Sequence, residues 1–256
     1  MTSDETNKEE RGQPILSASG ITKHFGGIHA LEGVDMDLYD KEALALLGDN
    51  GAGKSTLIKI ISGALDQDEG EIRFNGEQVR IADPNDAKEL GIKTVHQDLA
   101  LFTLLDVTSN LFAGEEKTRF GFLQKGKMDE DTDEILEELR VSVKSLRQRV
   151  GSLSGGQRHA VAIGRGVYVG HEPSVIIMDE PTAGLGVEES KNVIQLLKDL
   201  KKKVSVIFIT HNMDYAFDVA DRALVLASGR VAGMVDMDET TEEEIVGMMM
   251  GKIKKT

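Results

Sequence analysis

Hydrophobic residues in this chain follow two different periods. Residues 43–47 (Ala-Leu-Ala-Leu-Leu), 175–178 (Val-Ile-Ile-Met) and 204–209 (Val-Ser-Val-Ile-Phe-Ile) are nearly continuous apolar runs. Such runs mark parallel strands covered on both faces. Val34, Met36 and Leu38 alternate with Asp35, Asp37 and Tyr39 instead, the period-two sign of a half-buried strand. Phe25-Gly26-Gly27 reads as a turn between short strands. Ile72-Arg73-Phe74-Asn75-Gly76 reads as a strand entering a hairpin, and Ser228-Gly229 as a hairpin between 224–226 and 230–232. Helical spacing appears after residue 56, then at Ala160, Val161, Gly164 and Val167. It recurs over 191–203, where Val193, Leu196, Leu197 and Leu200 face inward. Residues 129–139 predict an acidic amphipathic helix with Ile135, Leu136 and Leu139 on one side. The pattern is α/β: a parallel core, a small antiparallel sheet beside it, and a helix-rich insertion of roughly 98–160.

The polar groups sit where the apolar runs stop. The first run ends in Gly48-Asp49-Asn50-Gly51-Ala52-Gly53-Lys54-Ser55-Thr56 and gives way to a helix. G-x-x-x-x-G-K-S between strand and helix is a phosphate-binding loop. Its glycines let successive N–H groups point inward as an anion nest, and the helix N-terminus adds positive potential. Lys54 is placed to reach the β- and γ-phosphates, and the Ser55 hydroxyl to bind Mg²⁺. The second run ends in Asp179-Glu180 and the third in Thr210-His211. Strands ending at Gly48, Asp179 and His211 are expected to converge on one edge of one sheet, where open α/β sheets bind ligands. Residues 92–97 form another short strand ending at His96 and Gln97. Ser154-Gly155-Gly156-Gln157 opens a helix and is a further anion-site candidate. Phe25 is a candidate stacking ring for a base, with ordinary core as the alternative. The stretch 98–112, rich in Leu and Phe, reads as core or as an apolar surface for a partner. Gly164 and Gly166 inside a helix cost about 1 kcal/mol each against alanine, to be offset by close packing.

Composition narrows the class. The 256 residues carry a formal charge of −14, which argues against a nucleic-acid partner. The chain has no cysteine, which rules out disulfides and thiolate metal sites and suits a reducing cytoplasm. No apolar run approaches the ~20 residues of a membrane helix. Residues 1–13 are polar, unlike a signal peptide, and are expected to be a disordered lead-in.

Taken in order, these motifs resemble the ATP-binding subunit of an ATP-binding-cassette (ABC) transporter. The resemblance covers nearly everything from residue 15 to 247. Residues 48–55 match its Walker A loop, Gln97 its Q-loop and 153–157 its signature. Residues 175–179 match its Walker B strand, Glu180 its catalytic carboxylate and His211 its switch histidine. Phe25 falls where the family places an adenine-stacking ring. The wording of 86–92, 95–98 and 183–187 is similar to bacterial monosaccharide importers of the ribose, xylose, galactose and fructose type.

The resemblance implies a P-loop NTPase cassette over 14–247, with a RecA-like, mainly parallel core. It also implies a small antiparallel β subdomain, a helical signature-motif subdomain and a tail over 248–256. It implies ATP and Mg²⁺, the metal held by Ser55, Gln97 and Asp179. Glu180, His211, Lys54 and Gln97 would carry catalysis; Ser154, Gly155, Gly156 and Gln157 would cap ATP bound to a second copy. Only one of each motif occurs, so the chain is expected to pair with a copy of itself. It would sit on the inner face of the membrane through a permease, served indirectly by a periplasmic or extracellular sugar-binding protein. Cassettes of other systems (amino-acid import, lipid export, iron–sulfur assembly, DNA maintenance) are the alternatives. One position departs from the family: Gly186 stands where most cassettes have the D-loop aspartate that couples the two sites.

Overall fold

A computed structural model describes residues 11–253. The expected lead-in lies outside the described residues except for 11–13, as do residues 254–256 of the tail. Strands β1 (Leu16–Phe25) and β2 (Ile28–Leu38) are longer than the short segments expected. They join β4 (Glu69–Phe74) and β5 (Glu77–Val79) in an antiparallel sheet ordered β2-β1-β4-β5. The core sheet contains β3 (Ala43–Gly48), β6 (Ile92–Val95), β9 (Val175–Asp179), β10 (Ser205–Ile209), β11 (Arg222–Ala227) and β12 (Arg230–Asp236). Its order is β12-β11-β3-β10-β9-β6, parallel except for β12.

Continuous hydrophobicity is explained by where alternate side chains go. Ala43, Ala45 and Leu47 of β3 enter one core cluster while Leu44 and Leu46 enter the other. Val206 and Phe208 of β10 likewise part from Ile207 and Ile209. The second core lies under the antiparallel sheet and α1 (Lys54–Ile61), which buries Leu57, Ile58, Ile60 and Ile61. A short helix, α2 (Pro84–Glu89), leads into β6.

The insertion holds α3 (Val107–Leu111), α4 (Lys125–Glu138) and a small hairpin, β7 (Thr118–Arg119) with β8 (Phe122–Leu123), that the sequence pattern did not disclose. Helix α4 buries Ile135 and Leu136 as expected but starts earlier than the periodicity suggested, adding Met128 and Thr132 to its inner face. Helix α5 (Gly155–Tyr168) continues past residue 160. A Cβ at Gly164 would lie 2.7 Å from Leu111 Cδ2, and one at Gly166 2.8 Å from Val95 Cγ2, so close packing against α3 and β6 is what those glycines allow. The stretch 98–112 divides between its two readings: Val107, Leu111 and Phe112 are core, whereas Phe102, Leu104 and Leu105 are exposed.

Helix α6 (Val187–Leu200) is the crossover between β9 and β10, beginning four residues before the expected start at 191. Helices α7 (Met213–Val219) and α8 (Glu242–Met249) close the fold. Helix α8 runs through residue 248, where the tail was expected to begin. No helix among the described residues is long and apolar enough to cross a membrane.

Candidate active site

Residues at the ends of β3, β9 and β10 meet because those three strands are parallel neighbours in register. Ile209 pairs with Asp179 on one side and with Leu46 on the other. The loop after β3 bends back over its own end. Its last turn is Gly53, with φ of 105°, and β2 crosses directly above it. A Cβ there would lie 2.6 Å from Leu31 Cδ2 and 2.8 Å from the Ala30 carbonyl oxygen, so only glycine fits both the backbone angle and the space. Beside β2, the β11–β12 turn also holds the loop through the Gly229 amide, which donates to the Ala52 carbonyl at 3.1 Å. Ala52 is buried, while Asn50, Gly51 and Ser55 are exposed and Thr56 is half-buried.

Lys54 folds over the loop, its Nζ donating to the carbonyls of Gly48 (2.6 Å) and Asp49 (3.0 Å). Burial holds its pKa below the ordinary lysine value, against the opposing pull of Glu180, Asp49 and Asp179. Asp179 is half-buried at the end of β9. Burial, then the neighbouring Glu180, raises its pKa, and His96 and Lys54 oppose the rise. Glu180 leaves the strand with φ of +51°, a left-handed conformation that costs about 1 kcal/mol or more in a residue with a side chain. Its amide donates to the Ile209 carbonyl at 3.1 Å, which locks the turn to β10. His211 Nδ1 then lies 2.8 Å from Glu180 Oε2.

Gln97 follows β6, whose Val95 pairs with Met178, so it emerges on the same edge as Asp179 and is exposed. Ser55, Gln97 and Asp179 offer a hydroxyl, an amide oxygen and a carboxylate. Among the described residues the Asp179 carboxylate has no hydrogen bond or ion pair, and no cluster of three metal-ligating side chains exists. A few hard oxygen donors beside a phosphate site fit Mg²⁺, which keeps waters and takes phosphate oxygens as its other ligands.

Phe25 ends β1 and is 48% exposed, with Lys23 Nζ 5.9 Å from its ring centre. The core alternative for this ring is thereby removed. Ser154, Gly155, Gly156 and Gln157 make their hydrogen bonds with one another, with α6 and with Ser142. Ser154 and Gln157 form a reciprocal cap on α5, and the Gln157 amide nitrogen donates to the Ser142 carbonyl.

Two residues at this site escaped the sequence reading. Glu189 of α6 accepts from the Gly156 amide, and its one sequence signal is an acid three residues after the helix cap at Gly186. Arg165 of α5 donates to the Leu99 carbonyl at 2.9 Å and the Ala100 carbonyl at 3.0 Å, tying the signature helix to the loop after Gln97. Nothing in the local sequence announces that contact. The Gly186 departure is not forced by the backbone: its φ is −73°, and nothing lies within 4 Å of a Cβ built there.

The chain is similar to known proteins in sequence and in fold. Residues 31–183 match the ABC transporter family. The chain is 45% identical over 244 residues to the xylose/arabinose import ATP-binding protein XylG of Sulfolobus acidocaldarius, covering 93% of this chain and 96% of that one. It is 41% identical to the fructose import ATP-binding protein FrcA of Rhizobium meliloti, covering 93% and 95%. Among solved structures, cbiO1 of Clostridium perfringens, part of the ABC transporter complex cbiONQ, superposes with a TM-score of 0.77 at 29% identity, covering 91% of this chain and 93% of that chain. The dimeric post-hydrolysis state of the cassette MJ0796, bound to ADP and Pi, superposes with a TM-score of 0.74 at 25% identity, covering 87% and 98%.

Proposed function

Since the chain belongs to the ABC transporter family and is an ATPase of that family, we propose that it powers import of a monosaccharide through a membrane permease. The observation that carries this reading is the junction of the phosphate loop, Asp179, Glu180 and His211 on one sheet edge. Relatives named for xylose/arabinose and fructose import, matched almost end to end, support the cargo.

In this mechanism the amides around Gly51 and Gly53, with the N-terminus of α1, bind the triphosphate. Lys54 exchanges its contacts with the Gly48 and Asp49 carbonyls for the β- and γ-phosphates and offsets charge that builds on the γ-phosphoryl oxygens. Glu180 orients water in line with the γ-phosphorus and accepts its proton. His211 holds Glu180 and contacts the γ-phosphate. Ser55, Gln97 and Asp179 would hold Mg²⁺, which supplies electrostatic stabilisation of the transferring phosphoryl group. Phe25 presents its exposed ring to the base.

The hydrogen bonds of the signature turn go to Glu189 and Ser142 rather than to the phosphate loop, and a second copy completes the site: Ser154 and Gly156 of each chain cap the ATP held by the other. ATP then favours the closed pair because only that state makes both sets of contacts. The exposed apolar group Phe102, Leu104 and Leu105, just past Gln97, is placed to pass closure to the permease. Sugar selection falls to the permease and an external binding protein. Uptake of a panel of labelled monosaccharides in a strain lacking this gene tests the reading. Restoration by the wild type and not by Lys54→Ala is expected; unchanged uptake of every sugar after deletion would overturn it.

A further inference from the structure

The signature turn already holds an anion, and that anion belongs to the chain itself. Oε1 of Glu189 accepts from the Gly156 amide at 3.0 Å and from the Ser154 hydroxyl at 3.1 Å. Oε2 accepts from the Gly186 amide at 3.3 Å, so one carboxylate bridges the first turns of α5 and α6. The fit is close: a Cβ on Gly156 would lie 2.7 Å from the Glu189 carboxyl carbon. The amides of Gly156 and Gly186 hold this carboxyl below the usual carboxylate range, so the seat carries a full negative charge.

We propose that Glu189 is a tethered competitor for the partner's nucleotide. Its carboxylate fills the Ser154–Gly156 seat in the separate chain and has to swing out before the γ-phosphate of an ATP on the second copy can enter. The inference rests on the ATP-sandwich reading above. One amide and one hydroxyl cannot serve two anions at hydrogen-bonding distance, because the anions repel and the donors have single protons. Closure therefore gains the difference between phosphate and carboxylate contacts, not the whole of the former. Departure of Glu189 also frees the Gly186 amide, so loading of the signature seat loosens the cap of the D-loop helix in the same movement.

Sedimentation velocity of the hydrolysis-deficient Glu180→Gln chain over an ATP series tests this, with Glu189→Ala and Glu189→Gln added in turn. With the competitor gone, the ATP concentration for half-dimerisation should fall about tenfold in Glu189→Ala, the scale of a charge-assisted hydrogen bond. Glu189→Gln, which keeps an acceptor of equal length without the charge, should fall between. Thermal melting establishes that each variant is folded; if the alanine variant is not, the direction of change in the glutamine variant decides. Equal or weaker ATP-dependent dimerisation in a folded variant overturns the competitor and makes Glu189 a prop for the signature turn. If the Glu180→Gln parent stays monomeric at saturating ATP, the sandwich reading itself fails and the competitor falls with it.

Discussion

His211 Nδ1 stands 2.8 Å from Glu180 Oε2, although the two residues are 31 positions apart in the chain. With the carboxylate ionised, Nδ1 is the donor of this bond and Nε2 is left for another partner. The pair is held from below by the Glu180 amide on the Ile209 carbonyl. Glu180→Gln should lower kcat by about 10²–10⁴-fold, the usual range for loss of a general base, with ATP binding retained. His211→Ala should lower kcat while leaving the ATP-dependent dimer intact. Steady-state phosphate release and nucleotide-binding titrations check both.

Arg165 joins the signature helix to the loop after Gln97, and so joins the predicted lid to the predicted permease contact. Its guanidinium is half-buried and donates to two carbonyls that have no ladder partner there. Arg165→Ala should cost about 1 kcal/mol of stability, because water can replace the guanidinium at the exposed Ala100 carbonyl. Basal ATP hydrolysis should hold, whereas stimulation by the reconstituted permease should fall. Urea unfolding and proteoliposome ATPase assays separate the two effects.

Gly186→Asp restores the residue most cassettes carry at the D-loop. The backbone there is extended and the space around it is open, so the substitution should change stability by no more than about 0.5 kcal/mol, as at other unencumbered surface positions. Any change should appear instead in the cooperativity of hydrolysis with ATP concentration. An unaltered Hill coefficient would mean that this chain couples its two sites without that side chain.

Acid should weaken the helical insertion. Asp106 and Asp131 both have depressed pKa values. Burial alone would raise them, but the Ser109 hydrogen bonds and Arg147 outweigh it at Asp106, and Lys117 and Lys127 do so at Asp131. For a depressed carboxyl, the unfolded chain takes up the proton first as pH falls. Its contribution is therefore complete above the unfolded value near 3.9 and is lost as pH drops through the folded one. The stability gap between wild type and Asp106→Asn should be constant near neutrality and close below about pH 4. Denaturant titrations across that range measure it.

Much of the site could be read from local order, because its chemistry sits on strand ends and each strand advertises itself by an apolar run. Gly48 to Ser55, Asp179, Glu180 and His211 were each found that way, and so was the turn at Ser228-Gly229. The β7–β8 hairpin was not, since two-residue strands carry no period. Neither were the grip of Arg165 nor the hydrogen bond of Gly229 to Ala52, because each joins residues whose separation in sequence has no pattern.

The order of chemistry along the chain was thus set by sequence alone: an apolar run buries itself wherever the sheet forms, and the polar residue that ends it must surface at the sheet's edge. Which edges adjoin, which carboxylate occupies the Gly156 amide and which arginine holds the Gln97 loop depended on packing. Those partners are chosen by strand order and by the seating of α5 and α6. No residue encodes its neighbour across that distance until the core has closed around both.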